Sequence, residues 1–160
     1  MRKRLRFPVI PKRFSLRKQN REGSCGPNGM RYVIAYYKGL DIPEWQLINM
    51  SCCSQSNGAP IDGMARIAKN FNLNYELMHN SSISDLVGSI NEKNPVVLLI
   101  QSWGTGHYVV ANGYDDKHNK IFYYDPLYGK TKQMNYETLD KKWHGVDLFE
   151  RNHLGIFFKN

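Results

Sequence analysis

The first part of the chain carries apolar residues at helical spacing. After Pro27 they recur at positions i, i+3, i+4 and i+7, as Met30, Val33, Ile34 and Tyr37. This spacing places them on one face of a helix, and Gly39 follows as a C-terminal stop. The pattern predicts a helix over residues 25–38. Similar faces predict three more helices, near residues 43–51, 61–71 and 82–90. The last of these begins with a Ser-x-x-Asp capping-box spacing at Ser82.

The pattern changes to that of strands in the second part of the chain. Alternating or short continuous apolar runs predict strands over residues 96–101, 107–114, 120–124 and 154–159, after an earlier one at 73–78. Residues 104–106 are predicted to form a loop, residues 115–119 a hairpin turn, and residues 136–143 a late helix. Helices followed by a largely antiparallel sheet indicate an α+β fold.

Composition places this pattern in one ordinary domain. The 160 residues are 41% hydrophobic and 22% charged, which excludes disordered, collagenous and coiled-coil chains. No apolar run approaches the roughly 20 residues of a membrane span. The basic start is interrupted by Pro8 and Pro11, so no cleavable signal peptide is predicted. We therefore expect a single domain over residues 15–160 and a cytoplasmic location.

The net charge of +8 lies entirely at the start of the chain. Residues 1–18 contain eight of the 22 basic residues and no acidic one, which leaves 14 basic against 14 acidic residues in 19–160. We expect residues 1–14 to form an extended basic arm. Such an arm is suited to an acidic partner or a membrane surface, and a solvated tail is the alternative. The rest of the chain has no nucleic-acid motif, so nucleic acid is not an expected partner.

The cysteines do not predict a disulfide scaffold or a metal site. There are three, Cys25, Cys52 and Cys53, and adjacent cysteines rarely pair because of disulfide geometry. Cys52 and Cys53 are interpreted as residues of the core or of the end of the second helix. The five histidines are scattered and no Cys-x-x-Cys occurs, so no metal or other cofactor is predicted.

Cys25 and His107 are the first candidates for catalysis. Cys25 begins the first predicted helix, whose positive N-terminal end favours a thiolate. Gly26 has no Cβ and lets a substrate backbone approach. His107 begins a predicted strand and is of the type that serves as a base for a thiol. The alternatives are a buried cysteine that acts as a small hydrophobe and a core histidine.

Asp125 and Gln19 extend this set. If the strands around residues 107–114 and 120–124 form a hairpin, Asp125 lies beside His107 and can accept its ring N–H. Gln19 lies six residues before Cys25, and its amide can donate to an oxyanion together with the backbone N–H of the nucleophile. Turn formation by Asp125-Pro126 and a surface position for Gln19 are the alternatives.

Three motifs together resemble the peptidase family C39. They are Gln19-x5-Cys25-Gly26-Pro27, then Gly106-His107-Tyr108-Val109-Val110, then Tyr124-Asp125-Pro126. Members are papain-like cysteine peptidases related to the bacteriocin-processing domains of ABC transporters. The similarity spans roughly residues 15–160 and implies a papain-like α+β fold with N-terminal helices on a mainly antiparallel sheet.

The resemblance also implies roles. Cys25 would be the nucleophile, His107 the general base and acid, Asp125 the orienting residue and Gln19 an oxyanion donor. We expect Gly26, Trp103, Gly106 and Tyr108 to bind the substrate, a peptide or protein such as a leader peptide. Trp103 and Tyr108 are chosen because they flank His107, and a place in the core is the alternative for both. Two alternatives stay open: an acyltransferase with the same Cys-His-Asp set, and a module on this fold that binds peptides without cutting them.

Overall fold

The computed structural model describes residues 4–6, 18–102, 104–144 and 152–160. The helices are α1 (Cys25–Lys38), α2 (Glu44–Ser51), α3 (Ile61–Asn70), α4 (Ile83–Asn91) and α5 (Tyr136–Lys142). The strands are β1 (Arg4–Arg6), β2 (Asn74–Met78), β3 (Val96–Ser102), β4 (Thr105–Asp115), β5 (Lys120–Asp125), β6 (Lys130–Asn135) and β7 (Gly155–Lys159). The predicted helices and the strands predicted from apolar runs are all present, and the α+β class is confirmed.

The strands form one sheet in the order β2-β7-β3-β4-β5-β6, with β1 paired to β4. Each pairing within the described part of the chain is antiparallel. The longest strand, β4, lies between β3 and β5, and its side chains alternate between two hydrophobic cores. Tyr108 and Val110 pack with α1 and α3, whereas Val109 and Ala111 pack with α4 and α5. Helices therefore cover both faces of the sheet.

The capping box predicted at the start of α4 is present. The Ser82 side chain accepts from the backbone N–H of Asp85 at 3.0 Å. The Asp85 carboxylate in turn accepts from the backbone N–H of Ser82 at 2.8 Å. These two bonds satisfy N–H groups that a helix start otherwise leaves without partners.

The loop predicted over residues 104–106 is wrong for two of its three positions. Thr105 and Gly106 already belong to β4, because Ser102 of β3 pairs with Thr105. Gly104, just before β4, has a φ of 76°, a value that favours glycine. The Gly-Thr-Gly composition suggested a longer loop than the register allows.

Sequence patterns missed β6 and β1. β6 reads Lys-Thr-Lys-Gln-Met-Asn and lies at the edge of the sheet, where one row of backbone groups and many side chains face solvent. Such a strand needs few apolar residues, so no hydrophobic signal marks it.

β1 places part of the basic arm on the sheet. Arg4, Leu5 and Arg6 pair with Asp115, Tyr114 and Gly113 at the far end of β4. The boundary predicted at residue 14 lies outside the described residues, so the extent of the arm stays a prediction.

Among the helices of the described residues, none combines the length and apolarity needed to cross a bilayer.

Candidate active site

Cys25 lies at the first position of α1, as its sequence context predicts. It is buried, with 7% of its surface exposed, and Ser24 is the N-cap residue. The positive end of the helix dipole is therefore directed at its surroundings. The backbone N–H of Tyr108 on β4 points to the Cys25 Sγ at 3.5 Å, so the sulfur lies where α1 meets β4.

His107 and Asp125 form a buried pair next to this sulfur. His107 Nε2 and Asp125 Oδ1 are 2.7 Å apart. Asp125 engages Nε2, so Nδ1 is the ring nitrogen left for another partner. Burial lowers the pKa of His107, but hydrogen bonds to Asp125 and Cys25 and their negative charges outweigh it and raise the pKa to about 9. The arrangement therefore favours a protonated ring between two acceptors.

Asp125 has two further partners that sequence patterns did not indicate. Its Oδ1 accepts from the backbone N–H of Leu127 at 3.0 Å, and Lys132 Nζ lies 3.5 Å from its Oδ2. Burial raises the pKa of Asp125, but the contacts with His107, Leu127 and Lys132 lower it overall. Lys132 belongs to the unpredicted strand β6, so its approach to Asp125 had no signal in the sequence.

A β-bulge decides which face of the sheet Asp125 occupies. Asp115 pairs with Lys120 and Gly113 with Phe122, but beyond the bulge Val110 pairs with Tyr124. Asn112 is the extra residue, so one more step places Asp125 opposite Val109. Val109 and His107 share a face because strand side chains alternate. Without the bulge, the register would be shifted by one residue and Asp125 would face the other side.

Gln19 lies beside the same site and is tied to the turn after Asp125. Its backbone N–H donates to the Pro126 carbonyl at 2.7 Å. Its Nε2 donates to the Arg21 carbonyl at 2.9 Å, and its Oε1 is buried with no hydrogen-bond partner within the described ranges. An amide nitrogen carries two hydrogens, so one donor remains in addition to the bond to Arg21.

A cavity of about 500 Å³ lies beside Cys25, His107 and Gln19. Of the predicted site residues, it is lined by Gln19, Cys25, Gly106, His107 and Tyr108. Its wall also includes the small residues Gly23, Gly58 and Ala59. Asp125 lies behind His107, in a second cavity that also contains Lys132.

The cavity does not confirm two of the predicted substrate-binding residues, Gly26 and Trp103. Gly26 is buried and does not line the cavity. A Cβ there would lie 2.8 Å from Met64 Sδ and 3.1 Å from Ala59 Cβ, so helix packing already requires glycine. Its role toward the substrate stays a prediction. Trp103 lies outside the described residues.

The other cysteines stand apart from this arrangement. Cys52 is the exposed C-cap residue of α2, at the helix end where it was expected, and Cys53 is half-buried. Cys53 Sγ contacts the Gly23 carbonyl at 3.0 Å, and burial raises the pKa of its thiol. The described segments hold no cluster of three or more His, Cys, Asp or Glu side chains able to bind a metal ion.

Solved structures with the same fold are peptidase domains. The peptidase domain of Streptococcus ComA, a bifunctional ABC transporter of a quorum-sensing pathway, has a TM-score of 0.69 at 22% identity over 88% of this chain and 94% of that one. A double glycine motif protease from an AMS/PCAT transporter, in complex with the leader peptide, has a TM-score of 0.66 at 20% identity over 98% and 94%. The N-terminal peptidase C39 like domain of the toxin secretion ATP-binding protein from Vibrio parahaemolyticus has 0.63 at 15% identity over 89% and 99%. At these identities the likeness shows the fold.

Comparison with curated proteins gives no match, whereas comparison with protein families does. The Peptidase C39 family matches residues 13–153, which include α1 with Cys25, β4 with His107 and β5 with Asp125. Because the match covers most of the chain and the fold agrees with it, this papain-like α+β domain belongs to the Peptidase C39 family.

Proposed function

We propose that the chain is a cysteine peptidase that hydrolyses a peptide bond through an acyl-enzyme on Cys25. The observation that carries the proposal is the 2.7 Å contact between His107 and Asp125, with His107 and Cys25 on the wall of the same open cavity. Membership of a peptidase family supports the same reaction class.

In the acylation step, His107 holds the proton of the Cys25 thiol and the thiolate attacks the carbonyl carbon of the peptide bond. The carbonyl oxygen becomes an oxyanion in the tetrahedral intermediate. When the C–N bond breaks, His107 gives the proton to the leaving amine, and the acyl group remains on sulfur as a thioester. Asp125 keeps the ring oriented and stabilises its protonated form.

Deacylation uses the same groups in reverse. His107 takes a proton from water, and the water oxygen attacks the thioester carbonyl. When the C–S bond breaks, the acid product leaves and the thiolate forms again beside protonated His107. In both steps, we propose that Gln19 Nε2 and the backbone N–H of Cys25 donate to the oxyanion.

We propose a peptide with small residues before the scissile bond as the substrate. Four residues of the cavity wall end at or before Cβ: Gly23, Gly58, Ala59 and Gly106. A short substrate residue such as glycine can approach a wall of this kind more closely than a branched side chain can. One of the similar structures is a double glycine motif protease in complex with the leader peptide, which makes leader-type peptides the first substrates to test.

The test is a digest of paired peptides that differ only at the two residues before the expected cut, Gly-Gly or Val-Val, read by mass spectrometry. We expect cleavage of the Gly-Gly peptide by the wild type and none by Cys25→Ala. Cleavage that persists in Cys25→Ala would overturn the proposal. If the wild type cuts both peptides equally well, the nucleophile stands and the preference for small residues is wrong.

The same digest, repeated with an added amine, separates the two alternatives. Transfer of the acyl group to the amine, in place of release as a free acid, would identify an acyltransferase, because both reactions pass through the thioester. Tight peptide binding without any cleavage, together with slow alkylation of Cys25, would identify a binding module.

A further inference from the structure

Glu44, the first residue of α2, is a buried carboxylate that no sequence pattern singled out. Only 2% of its surface is exposed, although glutamate is almost never fully buried unless it is paired. An acidic residue in the first turn of a helix ordinarily indicates a solvated residue that favours the helix dipole. Here the side chain points inward, so its burial requires specific partners.

Three neutral groups contact this carboxylate. The backbone N–H of Asn20 donates to Oε2 at 2.7 Å. Ser24 Oγ lies 3.2 Å from the same oxygen and 2.8 Å from the Arg21 carbonyl, and its one hydrogen is shared between these two acceptors. Asn28 Nδ2 donates to Oε1 at 2.7 Å. Hydrogen bonds to an ionised acceptor are shorter and stronger than those between neutral groups, so these three contacts fix the relative positions of the segments that supply them.

Two of these groups adjoin a residue of the proposed catalytic set, and the third reaches it through Tyr124. Asn20 follows Gln19, and Ser24 precedes Cys25. Asn28 lies one turn into α1, and its Oδ1 accepts from the hydroxyl of Tyr124 at 2.8 Å. Tyr124 in turn precedes Asp125 on β5, so one carboxylate connects the segments that carry the proposed donor, the nucleophile and the orienting residue.

The connection to β5 is itself held in place. The Tyr124 ring stacks on Tyr32 of α1 with ring centroids 5.1 Å apart, and Tyr32 accepts from Asn112 Nδ2 at 3.0 Å. Asn112 is the extra residue of the bulge that turns Asp125 toward His107. The network therefore extends from Glu44 to the feature of the sheet that sets the position of Asp125.

We propose that Glu44 is a positioning residue that holds Gln19 and Cys25 in register with each other and with Asp125. The proposal rests on the proposed peptidase function. Glu44 does not line the cavity and has no part in substrate contact, so its loss acts on kcat much more than on KM. A displacement of about 1 Å at a catalytic group can cost up to about 10²-fold in rate.

Asp115 provides a matched control. It is also a buried carboxylate, with 5% of its surface exposed. It accepts from the backbone N–H groups of Lys117 and His118 at 3.1 and 3.3 Å and pairs with the His118 ring at 2.9 Å. It lies at the other end of β4 from His107, about 26 Å away along the strand. Asp115→Ala removes a comparable set of contacts far from the site.

The experiment compares Glu44→Ala, Glu44→Gln and Asp115→Ala by thermal melting, by kcat and KM on the Gly-Gly peptide, and by the rate of Cys25 alkylation with iodoacetamide. We expect Glu44→Ala to lose about 10- to 100-fold in kcat with little change in KM. We expect alkylation to slow as well, because Ser24 and the start of α1 shift. Glu44→Gln keeps acceptor oxygen at the site and should recover part of the loss.

The outcome depends on the comparison with Asp115→Ala at a temperature where both variants are folded. A kcat loss for Glu44→Ala at least about fivefold greater than for Asp115→Ala supports the proposal, and a smaller difference overturns it. If Glu44→Ala does not fold, Glu44→Gln is judged by its own kcat, and a loss below about twofold overturns the proposal. If the wild type cleaves no peptide, the proposed function is wrong, and the role of Glu44 is judged from alkylation. Cys25 alkylation must then slow at least about fivefold more in Glu44→Ala than in Asp115→Ala.

Discussion

The hairpin of β4 and β5 carries a histidine–carboxylate pair at each end. At one end, His107 Nε2 lies 2.7 Å from Asp125, and at the other end, His118 Nδ1 lies 2.9 Å from Asp115. The distances are nearly equal, but the His118 side chain is 59% exposed whereas that of His107 is 11% exposed. The first ring is enclosed between a carboxylate and a thiol, and the second faces solvent.

The difference shows that the pair alone does not make a site. The carboxylate of Asp125 acts on a buried ring through a medium that screens charge weakly, whereas water reaches the His118 ring and screens its interaction with Asp115. The pKa of His107 is raised to about 9, and the Cys25 thiol lines the same cavity. Enclosure and the third group turn a common contact into a candidate catalytic unit.

Replacing each of the two histidines by alanine should give the largest difference in turnover between the two pairs. We expect His107→Ala to lower peptide turnover by about 10³-fold or more, because general acid–base catalysis typically contributes 10²–10⁴-fold. His118→Ala should leave turnover near the wild-type level. Steady-state kinetics on the Gly-Gly peptide measures both. Equal losses for the two variants would mean that His107 has no special role.

Gln19→Ala should lower peptide turnover but leave the rate of Cys25 alkylation unchanged. Loss of one oxyanion donor typically costs about 10²–10³-fold in turnover. Alkylation of Cys25 by iodoacetamide forms no oxyanion, so that rate should stay near normal. Both rates are measured on the same folded variant. If they fall together, Gln19 positions Cys25, and if neither falls, it is a surface residue.

Asp125→Asn should be milder than His107→Ala and should change the pH profile. The ring remains but loses its preferred orientation, so we expect a loss of up to about 10²-fold. In the proposed mechanism the enzyme is active with His107 protonated, so wild-type turnover should decline as the pH rises through about 9, the pKa of His107. Without the hydrogen bond and charge of Asp125, this alkaline limb should move to lower pH.

Two results would contradict the role of Asp125. An alkaline limb that stays in place would show that Asp125 does not act through His107. A loss greater than that of His107→Ala would assign Asp125 another role, such as the turn at Pro126.

Lys132→Met should have a small effect with a defined direction. Lys132 lowers the pKa of Asp125, but its side chain is 37% exposed and water screens the interaction. We expect turnover at neutral pH to change by less than about threefold. Without Lys132 the pKa of Asp125 rises, so the decline of turnover at acid pH, where Asp125 becomes protonated, should begin at higher pH. Lys141→Met, which removes the exposed pair with Glu137, is the control and should leave the profile unchanged.

Deletion of residues 1–14 should have the smallest effect on chemistry. β1 pairs with the Asp115 end of β4, away from His107. We expect a modest loss of thermal stability and turnover within about threefold of the wild type, as for most terminal segments. Thermal melting and kinetics on a short neutral peptide measure the two. A folded but inactive protein would show that the arm belongs to the site.

The sequence by itself determined the local structure and most of the proposed site. Helical spacing from Met30 to Tyr37 defined α1 and so the place of Cys25 at its start. Two strand-length apolar runs with a polar turn between them brought Asp125 toward His107. These features depend on neighbours in sequence and on burial, which apolar patterns report directly.

Only the tertiary structure decided how these elements meet. The register of β4 and β5 depends on Asn112, whose bulge is held by Tyr32 on another element, and a one-residue slip would turn Asp125 to the opposite face. Glu44 and Lys132 are polar residues in segments that look solvent-exposed, so their burial or approach to the site leaves no hydrophobic signal. Long-range hydrogen bonds between polar groups arise when the elements pack, and a single sequence contains no periodicity that marks them.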